Sequence, residues 1–560
     1  MRRIPDRFRR IVLLIAGVGA GEICGQDSIE RLPPQLERSI HWALSTASRL
    51  HPAVPSCPAV PYMAAQGQIA ALQGALGAFG DGHTGVALAP LTARLRRRHG
   101  YFPFEVIQSD EGLIVRKSQT NDIPVGAILV QAGDRNAGEL AAGGPAGVWN
   151  DWAPAALGVR PRERVRLRWI DPVRGDTVDG TALVQPHRTL HPAAEQTLRV
   201  NAHEGAVVLA PGPFKTKLPE VPEGNWDGGV VFDLRGHAGG GVQEAVAWAR
   251  HLSGYCGPLP QAVLVKGSRE ARRLQPDRLD STEGSDWHAV WRAVRAVPDG
   301  AVDTVRFASN CVPEAAWNGR CAVLVDGGTA SAAAVLADWL QRRGRAVVIG
   351  APWEPAAGGS YGNAVRAKDP TTGISIRVAT AAFVWDTAVW EPCGLPGLPD
   401  LKLERSAAHW FTGNDPVLEA GIAWASGQPW RPDSITAATW MAREAPERWA
   451  LWRSIERELK PHGAWRQAAW DAVASYAAEV AWADLEGALA ERTPNSSAQA
   501  MQWAAAKTEA KQRRDAALRA ACPSSNLAQL EQLLAPAKPA VLHFGIHDRM
   551  NCGVCKPGEQ

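Results

Sequence analysis

Strong net charge, tyrosine and long apolar runs are all scarce in this sequence, and two of these absences remove a class of protein. Formal net charge is only +3, from 60 Lys and Arg against 57 Asp and Glu. Composition therefore gives no reason to propose a nucleic-acid partner. A membrane-spanning helix needs ~20 consecutive apolar residues. The apolar run "IVLLIAGVGAG" near the N-terminus falls short of that. No convincing internal repeat occurs. Tyr is rare, at 5, while Trp reaches 23. Many of these Trp sit inside helical patterns and read as core and helix packing. The 560 residues, with 46% apolar and 21% charged side chains, suffice for two to four globular domains.

The first 25 residues have the layout of a secretory signal. "MRRIPDRFRR" is basic, the apolar run follows, and "EICGQDS" turns polar. Export to a periplasmic or extracellular location is the expectation. "GEIC" fits a lipoprotein anchor at Cys24 poorly, and a buried N-terminal helix is the plainer alternative. Nine cysteines are compatible with export. Without Cys24, eight remain, an even number that could pair. Cys552 and Cys555 form a CxxC downstream of His543 and His547. A zinc site there is conceivable, but a local disulfide is the simpler expectation. No cofactor and no metal is expected.

The chain changes texture several times. Residues 28–95 look helical and end in "GALGAFGDGHTGVAL". Residues 96–200 hold short β-rich runs such as "YFPFEVI", "GLIVRK", "GAILVQAGD" and "RVRLRWI". Residues 201–410 alternate strand and helix. "GGVVFDLRG", "CAVLVDGG" and "RAVVIGA" read as buried strands, and "GVQEAVAWARHL" and "SAAAVLADWLQRRG" as helices, the latter closed by Gly344. That alternation predicts a mainly parallel sheet with helices on its faces. Residues 430–540 read as long amphipathic helices, including "ATWMAREAPERWALWRSIERELK". A cysteine-containing tail, 541–560, follows.

Three glycine-rich turns concentrate the chemistry. "GDGHTGV" (80–86) holds His83, "DLRGHAGGGV" (233–242) holds Gly239 and Gly240, and "DGGTASAA" (326–333) holds Ser331. The second and third each follow a predicted strand and open a predicted helix. In a parallel sheet both lie at the C-terminal strand edge, where open α/β folds bind ligands. A nucleophilic Ser331 needs a base for its proton and amides for an oxyanion. The Ala332 amide, at a helix start, is one candidate donor; Gly239 or Gly240 could supply another. Read singly, Ser331 is an N-cap, His83 a hydrogen-bonded loop residue and Glu391 a solvated charge. Their joint occurrence in motif context favours catalysis.

These segments together resemble the tail-specific (C-terminal-processing) serine protease family. The resemblance runs over "GDGHTGV", "GGVVFDLRGHAGGG", "VLVDGGTASAAAVLADWLQRRGRAVVIG" and "WEPCGLPGLPDLKLE", in the family's order, across roughly residues 70–405. It implies an α/β protease core with a ClpP/crotonase-like mixed sheet. It also implies a small PDZ-like module, to which "IPVGAILVQAGDRNAGEL" (123–140) is similar, and a peptide or protein substrate. One branch of the family uses a lysine about two dozen residues beyond the serine. No lysine occurs between Ser331 and Lys368. The tricorn-like branch implies His83 as base and Glu391 as its orienting acid, with Asp386 and His237 as the rival acid and base. The motif usually carries Asn at the position of His237, which therefore reads as a loop polar group. Two other functions stay open. "GGSYG" (358–362) matches an esterase elbow with Ser360 as nucleophile, and a scaffold of this kind could bind peptide or lipid without cutting.

Overall fold

The computed structural model describes residues 34–51, 72, 76, 79, 84–87, 97–142, 149–186, 197–214, 228–274, 287–307, 317–353, 361–362, 364–370, 372–385, 397–492 and 497–535. Helix α1 (Pro34–Leu50) and the short strand β1 (Gly85–Val86) precede a β-rich unit. That unit contains β2 (Phe104–Ser109), β3 (Gly112–Ser118), β4 (Ile128–Ala132), β5 (Arg135–Asn136), helices α2 (Ala137–Ala142) and α3 (Trp149–Ala156), β6 (Arg164–Ile170) and β7 (Thr177–Leu183). Its strands run antiparallel in the order β2-β3-β4-β6-β7. Alternation in β6 explains why: Val165, Leu167 and Trp169 point inward, while Arg164, Arg166 and Arg168 face out. Phe102, Phe104 and Trp149 stack inside, at ring separations of 5.2 and 5.5 Å.

The central unit follows. It comprises β8 (Arg199–His203), β9 (Ala206–Ala210), β10 (Gly229–Asp233), α4 (Val242–Ser253), β11 (Ala262–Lys266), α5 (Arg269–Leu274), α6 (Trp287–Ala296), β12 (Val302–Arg306), β13 (Cys321–Val325), α7 (Ala332–Arg342), β14 (Val347–Gly350), β15 (Tyr361–Gly362), β16 (Val365–Lys368), β17 (Ser375–Val378), β18 (Ala381–Val384) and β19 (Leu401–Lys402). The main sheet runs β19-β14-β13-β10-β9-β8, parallel throughout except for the β8 edge. Beside it lie an antiparallel sheet, β12-β11-β18-β15, and a small one, β1-β17-β16.

Both faces of the main sheet are covered, as a continuous apolar run such as "CAVLV" requires. Cys321, Val323 and Val325 pack with Trp248 of α4 and Trp339 of α7. Ala322 and Leu324 belong to a second core with Trp424 and Trp440. Those Trp come from the helices that end the described chain: α8 (Ala407–Thr412), α9 (Pro416–Ala425), α10 (Ser434–Glu444), α11 (Pro446–Ser454), α12 (Gly463–Arg492), α13 (Ser497–Ala521) and α14 (Leu527–Leu534). The segment expected as one long helix across 438–460 is broken. Pro446 has no amide to continue α10, so the chain bends at Ala445 (φ −135°) and restarts as α11. A π-turn, Ile455–Leu459, then ends at Lys460 with φ 44°.

The rear helices are thus half of a shared core rather than an appendage. A chain ending at residue 405 would expose Val231, Leu324 and Ile349 to water. We expect it to be insoluble or to lose its cooperative melt; a soluble chain with the full-length melting midpoint would refute this packing.

Candidate functional site

β10 and β13 are neighbours in register, Asp233 opposite Leu324, so the turns that leave them emerge side by side. Three hydrogen bonds then sew the turns together, and a fourth braces one of them. Asp326 Oδ1 accepts from the Gly236 amide at 2.7 Å and from the Gly328 amide of its own turn at 2.9 Å. The Thr329 hydroxyl donates to the Leu234 carbonyl at 2.8 Å, and the Ala330 amide to the His237 carbonyl at 3.0 Å. Thr329 is fully buried.

This seam leads directly into Ser331, which is half-buried and has φ 55° and ψ −131°. A non-glycine residue there is strained by about 1–3 kcal/mol. Ser331 occupies the N-cap position of α7, yet its side chain caps no helix amide; only its carbonyl serves the helix, accepting from Val335 at 3.1 Å. The Ala332 amide, first in the helix, has no acceptor among the described residues. A free amide at the positive end of a helix suits a developing negative charge.

Two glycines let the neighbouring turn lie close to Ser331. At Gly239 (φ +81°) a Cβ would come within 2.7 Å of the Ala330 carbonyl oxygen and 2.8 Å of both the Ala332 nitrogen and Ser331 Cβ. Gly240 (φ +136°) lies against Phe214 just as closely. The buried His237 holds this turn through both ring nitrogens. Nε2 lies 2.7 Å from the Gly212 carbonyl, and Nδ1 accepts from the Gly239 amide at 3.0 Å. That pattern is met only by the neutral Nε2–H tautomer. Burial pushes the His237 pKa below the ordinary imidazole value, opposed in part by the Gly212 carbonyl and the charge of Glu244. With both nitrogens committed to backbone, His237 is a loop polar group here, not a poised base.

Arg235 anchors the turn from behind. Its Nε and Nη2 bind Asp233 at 2.9 and 2.7 Å, and its Nη1 binds both oxygens of Asp415 at 2.8 and 2.9 Å. Asp415 also caps α9 at Leu418. Burial alone would raise the Asp415 pKa, but Arg235, Arg405 and the Leu418 amide outweigh it and hold the carboxyl below its ordinary value. Arg235, Asp415, Asp326 and Thr329 were not singled out by sequence reasoning. The Asp-Leu-Arg run was the available signal, but its partner lies 180 residues away.

His83, Glu391 and Asp386 lie outside the described residues, as do Ser360, Cys24, Cys552, Cys555, His543 and His547. The neighbour of His83 is placed. Thr84 is buried and its hydroxyl accepts from the Ala379 amide at 3.1 Å, while Gly85 and Val86 pair with β17. The segment holding Glu391 leaves from β18 and returns at Gly397, which bridges Trp353 just past β14. After Ser360 the chain enters β15 and then β16 rather than the helix that an esterase elbow needs. Lys368 is exposed. Lys266, whose pKa burial lowers, donates to the Ser48 carbonyl at 2.8 Å. Cys256 is disulfide-bonded, but Cys321 and Cys522 are free thiols, so the eight cysteines do not all pair. Burial pushes the Cys321 thiol up to about 11. Among the described residues no His, Cys, Asp and Glu group could hold a metal.

Residues 214–387 match the model of peptidase family S41. No curated protein matches the chain. Among solved structures, mature CPAF aligns at 13% identity over 69% of this chain and 96% of its own, with a TM-score of 0.43. The photosystem II D1 C-terminal processing protease aligns at 14% over 67% and 94%, with a TM-score of 0.32. A putative S41 protease from Bacteroides fragilis aligns at 16% over 69% and 97%, with a TM-score of 0.36.

Two outcomes are expected. Arg235→Ala leaves Asp233 and Asp415 without their shared cation and should cost about 3 kcal/mol in urea unfolding. Because the folded Asp415 carboxyl binds its proton more weakly than the unfolded one, the stability it contributes is present above about pH 4 and lost as pH falls through the folded pKa. Gly239→Ala, whose Cβ must displace the Ala330 carbonyl and Ser331, should lower the melting midpoint and slow reaction with a fluorophosphonate on the order of 100-fold. Wild-type reactivity in that variant would mean that the glycine is dispensable.

Proposed function

We propose, from the match of residues 214–387 to the model of peptidase family S41, that this chain is a serine-type endopeptidase with Ser331 as nucleophile in the tricorn-like Ser-His-Glu arrangement. His83 is the general base and Glu391 its orienting acid. The Ser331 Oγ attacks the peptide carbonyl and gives its proton to His83. Glu391 holds the imidazole tautomer and stabilises the imidazolium. Ala332 and Gly240 donate to the oxyanion, and Gly239 shapes the site. His83 then protonates the leaving amine, and water, deprotonated by the same ring, releases the acyl group.

The observation that carries this reading is the backbone of Ser331. Its φ of 55° turns the hydroxyl away from capping duty beside an Ala332 amide that has no acceptor among the described residues. The lack of a lysine between Ser331 and Lys368 favours a histidine base over a lysine. The antiparallel sheet with α2 and α3 serves as a PDZ-like module that holds substrate, and the parallel core as a ClpP/crotonase-like sheet. The Cys256 disulfide supports an exported protein, since such bonds persist in oxidising compartments. No helix among the described residues is long and apolar enough to cross a membrane.

Digestion of a peptide library by wild type and by Ser331→Ala tests the nucleophile. The variant should lose at least ~1,000-fold in activity with its melt intact. Equal cutting by both would end this assignment. A histidine base must be neutral to act, so activity should fall as pH drops through about 6.5. A profile that rises only above about pH 9 would point to lysine instead.

A further inference from the structure

We propose that His237 is a positioning residue for the oxyanion: by taking up the Gly239 amide it leaves the Gly240 amide turned toward Ser331. The inference rests on Ser331 being the nucleophile. Its geometry is set by three neighbours. The Phe214 amide donates to the Gly239 carbonyl at 3.1 Å, and the Gly241 amide donates to the Phe214 carbonyl at 2.8 Å. In such a parallel bridge the residue between, Gly240, directs its own amide and carbonyl to the opposite side. Phe214 continues from β9, and β10 lies between β9 and β13. The side opposite Phe214 is therefore the side of β13 and Ser331.

The two glycine amides consequently differ. Gly239 is buried and its N–H is bound to His237 Nδ1 at 3.0 Å. Gly240 is exposed, and its N–H has no acceptor among the described residues. The peptide between them can rotate easily, because both residues are glycines at positive φ. His237 removes that freedom. Its Nδ1 holds one end of the pair and its Nε2 is tied to Gly212. Its ring lies 4.3 Å from that of Phe214, and its carbonyl takes the Ala330 amide. One residue thus fixes the backbone on both sides of the oxyanion position.

This role needs a neutral ring. A proton on Nδ1 removes the acceptor for Gly239 and releases the turn. Among the described residues, Glu244 is the charged group that acts on the ring, and it favours that proton; the Gly212 carbonyl also favours it, and burial opposes it more strongly.

The test compares His237→Ala and His237→Asn on a fluorogenic peptide chosen from library digestion. His237→Ala should lower kcat roughly 10- to 100-fold, with KM within about twofold. His237→Asn should recover to within about threefold of wild type, because an Asn side-chain oxygen can accept from the amide two residues on. In acid, wild-type log kcat/KM should steepen from a slope of about one to about two as His237 joins the catalytic base in protonating; His237→Asn should keep a slope of one. A His237→Ala enzyme with wild-type kcat overturns the inference. So does a His237→Asn enzyme as inactive as Ser331→Ala, since the ring would then be moving the proton. If His237→Ala does not fold, a slope of two retained in His237→Asn overturns it. Activity in Ser331→Ala would instead strike the nucleophile assignment, whatever His237 does.

Discussion

The seam between the two glycine turns is the constraint on which the site depends. Asp326, Thr329 and the Ala330 amide tie the turn after β13 to the turn after β10. Neither turn has regular structure of its own to hold it. The parallel register of β10 and β13 brings them together, and hydrogen bonds, that of Thr329 buried, then fix their relative position. A serine hydroxyl and an amide on different loops could not converge on one carbonyl without such a fixture. The seam consists mostly of backbone groups, so it constrains the path of the chain more than the identity of most side chains along it.

The fixture is itself held from the rear of the sheet. Arg235 is clamped by Asp233 and Asp415. Asp415 starts α9, whose Trp424 lies in the second core with Leu324 and Val231. Further along, Glu111 at the tip of the β2–β3 hairpin accepts from the Ala407 amide at 2.8 Å and from Arg443 at 2.9 Å. The β-rich unit, the rear helices and the glycine turn are therefore joined through residues 405–415. Removing one partner from a half-buried pair such as Arg235–Asp415 leaves an uncompensated charge, which costs more than the intact pair contributes.

Much of this was legible in the sequence, and for definite reasons. Runs such as "CAVLV" and "GGVVFD" are apolar on both faces, which only a doubly covered strand satisfies. Among the glycines that follow them, Gly239 and Gly240 combine positive φ with close backbone neighbours and mark a turn that a side chain would clash with. What the sequence hid was long-range or depended on a single geometric choice. Arg235 looked like part of a motif, and nothing local pointed to Asp415. "TWMAREAPERWALW" kept a helical rhythm across Pro446 although the backbone could not. Gly239 and Gly240 were equivalent as letters; the position of one imidazole distinguishes them. The roles of His83 and Glu391 rest on motif order, because the contacts that would join them to Ser331 span hundreds and tens of residues.

Whether Ser331 caps its helix comes down to the sign of φ. An N-cap serine has an extended backbone, with its hydroxyl facing the second or third helix amide. At φ 55° the Cβ swings off that line, and the helix gives up a cap worth about 1 kcal/mol. The backbone adds about 1–3 kcal/mol of strain. Against this stand the four bonds of the turns, at about 1 kcal/mol each. The two sums are of the same size. The turn is thus stable enough to hold the serine out of its ordinary role, and the Ala332 amide is left uncapped beside a hydroxyl that no longer serves the helix.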